Sequence, residues 1–262
     1  MQIGAYLKEL FNLSGKTAVI IGNSGDLTGT LAVGLSRAGA EVVLAERIVE
    51  KAEKHLQEIE AHGGSGYAVA VDNTSQESLS HLLETVIGRS GKVDILVNGS
   101  GINHATAFFD ITEDEYKQVI DTNLTAVFRS CQVFGRYFIE EGRPASIINL
   151  GSISGLNPLS RVFTYSAAKA AVHNLTRNLA REWADKDIRV NTLVTGFFPA
   201  EQNPRDMDEA RVLEILRQTP SSRFGNAEEL IGALLLLASN KAGSFITGTE
   251  LLVDGGFEAT TI

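Results

Sequence analysis

Short apolar runs alternate with longer amphipathic segments along the chain. The runs are rich in Val, Ile and Leu, which is typical of strands buried on both faces, whereas the longer segments carry apolar residues at helical spacing. The predicted strands are Lys16–Gly22, Glu41–Ala45, Gly66–Val71, Asp94–Asn98, Ser146–Leu150, Arg189–Val194 and Glu250–Val253. Because alternating strands and helices imply crossover connections, the pattern predicts an α/β fold with a doubly wound parallel sheet of about seven strands.

Helices predicted between these strands would cover both faces of the sheet. They are Thr30–Ala38, Val49–Ala61, Gln76–Arg89, Glu113–Gly135, Tyr165–Ala180 and Ala227–Ser239. No low-complexity linker divides the chain, and its 262 residues suit one hydrophobic core. We therefore expect a single domain over residues 1–262, in which the loop-rich segment at about 197–219 forms a lid over the substrate.

Composition and charge argue against several function classes. The net charge is −9 and no Lys/Arg cluster occurs, which argues against a nucleic-acid partner. No apolar stretch reaches the ~18 residues that a membrane span requires, and the N-terminus lacks a signal pattern. Cys131 is the only cysteine, so neither a disulfide within the chain nor a thiolate metal cluster can form. We expect a cytoplasmic protein with a small-molecule substrate and no metal, membrane or nucleic-acid partner.

A candidate catalytic group follows the fifth predicted strand. Tyr165 and Lys169 are four residues apart in a predicted helix, so the lysine ammonium can reach the phenol. A nearby cation lowers the pKa of a tyrosine from about 10, which would let Tyr165 exchange a proton with a carbonyl or alcohol oxygen. Ser152, at the strand end, could donate a hydrogen bond to the same oxygen. The alternative is an ordinary aromatic side chain beside a solvated lysine.

The first strand and helix suggest a phosphate site. Gly22, Gly25 and Gly29 are predicted to lie in the turn between them, where small residues allow close backbone approach and a helix N-terminus favours an anion. The second strand ends at Glu46-Arg47, about 24 residues beyond Gly22, near the distance at which a nucleotide-binding unit places its ribose acid.

Several spaced motifs occur in a fixed order along the chain. They are Gly22, Asp72-Asn73, Asn98-Gly99-Ser100-Gly101, Asn123, Ser152, Tyr165, Lys169 and the closing G-T-E-L-L-V-D-G-G at Gly248–Gly256. With these motifs the chain resembles the short-chain dehydrogenase/reductase family over essentially its whole length. Segments near residue 25 and at Asn98, Pro158 and Gly196 further resemble a sugar-acid branch with D-mannonate (fructuronate) and gluconate 5-dehydrogenase-like oxidoreductases.

This resemblance implies a Rossmann-type fold and a function. The protein would transfer a hydride between NAD(P) and a secondary alcohol or ketone, most naturally of a sugar acid or polyol. A 3-oxoacyl thioester is the runner-up substrate, and a low-turnover dinucleotide-binding sensor or scaffold is the alternative outside enzymes. The resemblance also implies a homotetramer, in which the helices at Glu113–Gly135 and Tyr165–Ala180 meet a second subunit and the last strand region meets a third. Cys131, in the first of these helices, is expected to pack as a small hydrophobic residue.

The resemblance assigns roles to the matching residues. Tyr165 would be the general acid/base, and Lys169 would lower its pKa while holding the nicotinamide ribose. Ser152 would orient the substrate oxygen, and Asn123 would hold a proton-relaying water. The residues expected to bind the cofactor are Gly22, Asn23, Ser24, Asp26, Leu27, Glu46, Arg47, Asp72, Asn73, Asn98, Gly99, Ser100, Tyr165, Lys169, Gly196 and Phe197.

Departures from the family pattern bear on the cofactor. Asp26 and Thr28 occupy the second and third glycine places of the turn, so we expect weaker cofactor binding, with Gly29 partly compensating for Thr28. Gly99 and Ser100 stand in N-G-S-G where most of the family has Asn-Asn-Ala-Gly, a change expected to be mild. Thr195 stands where proline is usual, and it could loosen the loop over the nicotinamide.

Two neighbouring residues pull cofactor choice in opposite directions. The Glu46 carboxylate can accept hydrogen bonds from ribose hydroxyls and repels a 2′-phosphate, whereas Arg47 attracts that phosphate. Glu46 takes the place of the family's NAD-type acid, and Asn23 and Ser24 add no positive charge. NAD is therefore favoured over NADP.

Polar residues on loops are the candidates for binding the substrate. They are His104, Arg161 and Gln202, together with Ser152. Arg161 could pair bidentately with a carboxylate, or it could be a solvated arginine or a subunit contact. His104 could hydrogen-bond a polyol, or it could be a surface residue. An acidic sugar or a related hydroxy acid is the expected substrate.

Overall fold

Seven parallel strands form one sheet in the computed structural model, which describes residues 3–22, 25–198 and 209–260. The strands are β1 (Thr17–Ile21), β2 (Glu41–Glu46), β3 (Ser65–Ala70), β4 (Ile95–Asn98), β5 (Ala145–Ser152), β6 (Ile188–Thr195) and β7 (Glu250–Val253). Their order is β3-β2-β1-β4-β5-β6-β7, and all neighbouring pairs are parallel. The strand order reverses between β1 and β4, which is where such sheets bind ligands. The predicted doubly wound, single-domain α/β fold is confirmed.

Helices cover both faces of this sheet. They are α1 (Ile3–Phe11), α2 (Asp26–Arg37), α3 (Glu53–Ala61), α4 (Gln76–Ser90), α5 (Glu113–Ile120), α6 (Ala126–Glu141), α7 (Phe163–Trp183), α8 (Glu209–Gln218) and α9 (Ile231–Ala238). α4, α6 and α7 pack on one face, and α2, α3 and α9 pack on the other. The described helices include none that is both long and apolar enough to cross a membrane.

The first helix after β1 begins earlier than the sequence predicted. α2 begins at Asp26 rather than Thr30, because Gly25 has extended backbone angles and forms the N-cap. Gly29 therefore lies inside the helix, where a Cβ would collide with the His55 ring on α3. The placement of Gly29 in the turn was wrong, since this glycine serves the close packing of α2 on α3.

The long helix predicted over Glu113–Gly135 is interrupted. α5 and α6 are joined by a π-helical turn, Asp121–Thr125, and Asn123 within it is fully buried. A π turn inserts an extra residue into the helical ladder and re-aims the side chains around it, and such turns are frequent at functional sites. Apolar residues at helical spacing continue on either side, so the sequence pattern gives no sign of the interruption.

A buried polar network joins β4 and β5 to α6 and α7. Asn98 Nδ2 donates to Asn149 Oδ1 at 2.8 Å, and Asn149 Nδ2 donates to Thr176 Oγ1 at 2.9 Å. Ser130 Oγ donates to Asn98 Oδ1 at 2.6 Å. Cys131 is buried beside these amides in the apolar core, where burial raises the pKa of its thiol to about 12. The network fixes the β4 and β5 ends relative to the helices that carry the candidate site.

We expect Asn149→Ala to lower the free energy of unfolding by about 2–4 kcal/mol, because it leaves the buried Asn98 amide and the Thr176 hydroxyl without their partner. Urea denaturation followed by circular dichroism measures the change. The matched control is Asn178→Ala, whose exposed amide bonds to Asn174 in the same helix, and which should change stability by less than about 0.5 kcal/mol. Similar losses in both variants would contradict the role given to Asn149.

Candidate active site

The predicted catalytic residues meet at the carboxyl end of β5. Ser152 is the last residue of that strand, and the N-terminal part of α7, with Tyr165 and Lys169, packs across it. Tyr165 hydrogen-bonds Ser152. Asn123, in the π turn, and Lys169 both approach the Cβ position of Gly101. The four residues singled out from the sequence are therefore in one place.

Lys169 is buried at the base of this site. Its Nζ donates to the Leu150 carbonyl at 2.8 Å and lies 5.6 Å from the centre of the Tyr165 ring. Burial lowers the pKa of Lys169 from 10.5 to about 8. Burial raises the pKa of Tyr165, and its hydrogen bond with Ser152 only partly opposes that effect. The expected lowering of the Tyr165 pKa is not found, because burial dominates and the ammonium bonds to a carbonyl instead of the phenol.

Asn123 presents an unused acceptor to the site. Its Nδ2 donates to the carbonyls of Ile102 and Val119, each at 2.8 Å. Its Oδ1 is buried and has no hydrogen-bond partner among the described residues. A Cβ on Gly101 would lie 3.1 Å from that oxygen and 3.9 Å from Lys169 Nζ. Because glycine has no side chain, the space between the amide oxygen and the ammonium stays open to a small polar group.

A cleft of about 260 Å³ adjoins the switch point between β1 and β4. Its lining includes Gly22, Glu46, Arg47, Lys51, Asn73 and Ile102. Glu46 is buried, whereas Arg47 is exposed and pairs with Asp72 at 3.3 Å. Lys51, which the sequence analysis did not single out, adds a second cation. In this cleft the backbone of Gly22 lies near the carboxylate of Glu46 and the cationic side chains of Arg47 and Lys51. Such a combination suits the phosphates and ribose of a nucleotide.

Two glycines make room for Thr28 beside this cleft. A Cβ on Gly22 would lie 2.9 Å from Thr28 Oγ1, and one on Gly99 would overlap the Thr28 methyl group. Thr28 is buried, and its Oγ1 donates to the Gly25 carbonyl at 3.3 Å. The threonine at the third glycine place thus packs between Gly22 and Gly99. The expected compensation by Gly29 was wrong, because that residue faces α3.

Asp72, Asn73 and Ser100 form a hydrogen-bonded edge near the cleft. Asp72 Oδ1 accepts from the Thr74 hydroxyl at 2.7 Å and from its N–H at 3.0 Å, and these bonds lead the interactions that lower the pKa of Asp72. Asn73 Nδ2 donates to Ser100 Oγ at 2.6 Å. The Asn98 side chain differs from these, because both ends of its amide are bonded inside the core network. Asn98 could face a nucleotide only through its backbone.

The chain directly after β6 bonds to β7 and packs against the C-terminal segment. Thr195 belongs to β6 in register with Val253, and the Gly196 N–H donates to the Val253 carbonyl at 3.0 Å. The Phe197 ring packs edge-on against Phe257, with ring centres 5.4 Å apart. β7 and the C-terminal segment therefore hold these residues, and the looser loop expected from Thr195 stays a prediction.

The predicted substrate ligands are only partly described. His104 and Arg161 are exposed on loops, and Arg161 has a φ of 63°, a left-handed conformation that costs free energy for a residue with a side chain. Leu27, predicted to touch the cofactor, packs against the core on the α2 face. Gln202, Asn23, Ser24, residues 199–208 of the predicted lid and the side chain of Asp26 lie outside the described residues.

Comparison with known proteins agrees with this geometry. A family model described as enoyl-(acyl carrier protein) reductase matches residues 27–258. An uncharacterized oxidoreductase of Bacillus subtilis, UxuB, is 40% identical over 95% of this chain and 96% of its own. The chain belongs to the short-chain dehydrogenase/reductase family. It is accordingly an NAD(P)-dependent oxidoreductase.

Two further relatives of this short-chain dehydrogenase/reductase carry more specific names. Gluconate 5-dehydrogenase of Gluconobacter oxydans is 34% identical over 95% of this chain and 96% of its own. The crystal structure of a gluconate 5-dehydrogenase from Burkholderia cenocepacia, in complex with NADP and tartrate, superposes with a TM-score of 0.91. It is 31% identical, and the match covers 97% of this chain and 100% of that one.

Sequence reasoning missed some residues of this dehydrogenase/reductase site. His173 on α7 accepts a hydrogen bond from the Ser152 N–H at 3.3 Å. Glu258, the residue after Phe257, accepts a hydrogen bond from Asn157 on the loop after β5. The position of His173 one turn after Lys169 was a usable signal, because residues four apart share a helix face. The closing motif at Gly248–Gly256 pointed to the C-terminal region without naming the side chains beyond it.

The buried ammonium of Lys169 should make stability depend on pH. Below about pH 8 Lys169 is protonated in both the folded and the unfolded protein, and the folded state is destabilised by the burial of its charge. As the pH rises, the folded state loses the proton first, so this cost disappears before the unfolded chain titrates. We expect the unfolding free energy of the wild type, minus that of Lys169→Met, to rise by about 2–3 kcal/mol between pH 7 and pH 10.

Urea denaturation of both proteins across this pH range measures the difference. Lys186→Met is the control, because the Lys186 side chain is exposed and makes only a surface ion pair with Asp185. Its difference from the wild type should stay nearly flat. A flat difference for Lys169→Met as well would show that the Lys169 charge is not destabilised by burial.

Proposed function

We propose that this oxidoreductase interconverts a secondary alcohol and a ketone on a sugar acid, with NAD(P) as the hydride carrier. The observation that carries the proposal is the meeting of Ser152, Tyr165 and Lys169 in one buried site beside a cleft with nucleotide-binding chemistry. Asn123 adds an unpartnered buried acceptor to that site. A binding protein without turnover would have no use for a buried ammonium behind a tyrosine.

Tyr165 is the proton donor and acceptor in this mechanism. In ketone reduction its hydroxyl proton moves to the carbonyl oxygen, while Ser152 Oγ donates a hydrogen bond to the same oxygen. A bound nicotinamide would supply the hydride, or accept it when the alcohol is oxidised. Lys169 returns a proton towards Tyr165, which a pKa of about 8 allows near neutral pH. Asn123 Oδ1 would accept a hydrogen bond from the proton-relaying water, which would pass a proton from solvent back to Lys169 beside Gly101.

The cleft beside Gly22 would hold the adenosine half of the cofactor. Glu46 would accept hydrogen bonds from the ribose hydroxyls, and an NAD preference stays the prediction from this residue. Arg47 and Lys51 would pair with a 2′-phosphate. We propose that NADP is used as well, which the two cations support and which the NADP bound to the Burkholderia relative makes reasonable. Lys169 and Tyr165 would hold the nicotinamide ribose.

The sugar-acid assignment follows the names of the relatives and the polar loop residues. Arg161 would pair with the substrate carboxylate, His104 and Gln202 would bond its hydroxyls, and the segment at about 197–219 would close over it as a lid. The strained backbone of Arg161 supports a functional role for this residue. The second candidate is reduction of a 3-oxoacyl thioester, which the 34% identity to the 3-oxoacyl-(acyl-carrier-protein) reductase FabG of Vibrio cholerae supports.

We also propose a homotetramer in the cytoplasm. Phe108, Phe109 and Phe163 form an exposed aromatic cluster, in which the Phe109 side chain is 97% exposed. Phe245, before β7, and Leu252, within β7, are further exposed apolar side chains in the last strand region. Exposed apolar residues in both regions support the two different subunit contacts that the resemblance implies.

Purified protein should oxidise or reduce sugar acids faster than neutral polyols or an acetoacetyl thioester when nicotinamide absorbance is followed. Tyr165→Phe should lower kcat by about a hundredfold or more, because the proton transfer loses its donor. NADH binding measured by fluorescence should weaken by no more than about tenfold, because only one hydrogen bond to the ribose is lost. Tyr116→Phe on α5 is the matched control, since that side chain is exposed. Turnover of the thioester alone would select the second candidate. Turnover that survives Tyr165→Phe would refute the mechanism.

The cofactor proposal predicts opposite effects from neighbouring residues. Arg47→Ala combined with Lys51→Ala should raise KM for NADP about tenfold or more and change KM for NAD by less than about twofold, because only NADP has a 2′-phosphate. Glu46→Ala should raise kcat/KM for NADP relative to NAD. Lys186→Ala, an exposed lysine before β6, controls for loss of positive charge. Equal changes for both cofactors would contradict this placement of the 2′-phosphate.

A further inference from the structure

A buried histidine stands directly behind the catalytic serine. His173 is 1% exposed on α7, and its Nε2 accepts a hydrogen bond from the Ser152 N–H at 3.3 Å. The ring occupies a cradle made by two glycines: a Cβ on Gly151 would collide with Nε2, and one on Gly155 would lie 3.1 Å from Cε1. The loop around Ser152 thus has room for an imidazole and for little else.

The Ser152 N–H bonds to His173 in the part of β5 that is no longer paired with β4. β4 is in register with β5 only as far as Asn98 opposite Asn149, so Ser152 pairs in register with Thr195 of β6 alone. A buried N–H needs an acceptor, and α7 provides one through His173. The imidazole therefore takes the place that a longer β4 would fill.

The surroundings of His173 define its tautomer. Because Nε2 accepts, the ring proton resides on Nδ1. Nδ1 has no hydrogen-bond partner among the described residues, and Glu250 Oε2 on β7 lies 3.9 Å away, which allows electrostatic attraction but no hydrogen bond. Glu250 is in turn held by Arg177, with 2.9 Å between the guanidinium and Oε1. Burial lowers the pKa of His173 to about 4, and Lys169 and Arg177 add to this effect. An imidazolium, which has protons on both nitrogens, could not accept from Ser152.

We propose that His173 is a positioning residue for the hydride-transfer reaction, holding the Ser152 backbone so that Ser152 Oγ meets Tyr165. The nearby Glu250 carboxylate favours a proton on Nδ1 electrostatically, and with it the tautomer whose Nε2 can accept. The inference rests on the proposed roles of Ser152 and Tyr165. A shift of about 1 Å in such a group can lower turnover strongly without changing how the cofactor binds.

Three variants separate positioning from packing. In His173→Gln the amide oxygen can reach the place of Nε2, in His173→Asn the shorter amide reaches only the place of Nδ1, and His173→Leu fills space without an acceptor. We expect His173→Gln to keep kcat within about threefold of the wild type. His173→Asn and His173→Leu should lower kcat about ten- to a hundredfold, with KM for the cofactor nearly unchanged.

Thermal unfolding of each variant shows whether lost activity is lost folding. Equal kcat in all three variants, or a fall in kcat that parallels the folded fraction, would overturn the proposal. If His173→Leu does not fold, the comparison of Gln with Asn decides alone. Loss of activity in Tyr165→Phe, measured beside them, establishes that the reaction itself is the proposed one, so a failure there is distinct from a failure at His173.

Nitrogen NMR of the wild type labelled at histidine gives a readout that needs no activity. A neutral ring protonated at Nδ1, with an unprotonated Nε2 that keeps this state from about pH 6 to pH 8, is the expected signature. A His173 ring protonated at Nε2 at neutral pH would overturn the proposal, because that nitrogen could not then accept from Ser152.

Discussion

The end of β5 depends on two side chains of α7. Beyond Asn149 the strand is no longer in register with β4, and its buried backbone groups need partners. Lys169 Nζ donates to the Leu150 carbonyl, and His173 Nε2 accepts from the Ser152 N–H. Each such group would cost about 1–3 kcal/mol if it were left unpaired. α7 must therefore cross the strand end with these residues facing it, which also sets Tyr165 against Ser152.

The same burial determines the protonation of the site. The pKa of Lys169 falls to about 8 and that of Tyr165 rises, so near neutral pH the resting pair is an ammonium beside a neutral phenol. For Lys169 this shift costs stability near neutral pH, but it brings the pKa closer to the range in which proton exchange is fast. A solvent-exposed lysine at the same spacing would cost the protein less stability. It would also be a poorer proton source, because its pKa would lie further above neutral pH. The buried hydrogen-bond network through Asn98 and Asn149 contributes stability that offsets the cost of burying the Lys169 charge.

Local pattern predicted the sheet and the meeting of Ser152, Tyr165 and Lys169, because strand runs and a four-residue helical spacing are properties of neighbouring residues. Features that depend on distant residues were not predictable in the same way. The Asn98 side chain belongs to the core because of its partners on β5 and α6. The direction of the Tyr165 pKa shift depends on burial by several elements, which no spacing rule contains. His173 lacked a predicted role because its partner is a backbone N–H.

Two departures from the family pattern, which look independent in the sequence, are coupled in the fold. Thr28 stands at a glycine place in the turn, and Gly99 stands where the family usually has a side chain. A Cβ on Gly99 would overlap the Thr28 methyl group, so the threonine fits because residue 99 is glycine. Since Gly22 borders Thr28 from the other side, the extra volume stays within the packed layer between α2 and the strand ends. The glycine missing from the turn is thus matched by a glycine after β4, which makes room for Thr28. The weaker cofactor binding expected from Thr28 therefore has no support from crowding at this residue. The charge of Asp26 is the remaining argument for weaker binding.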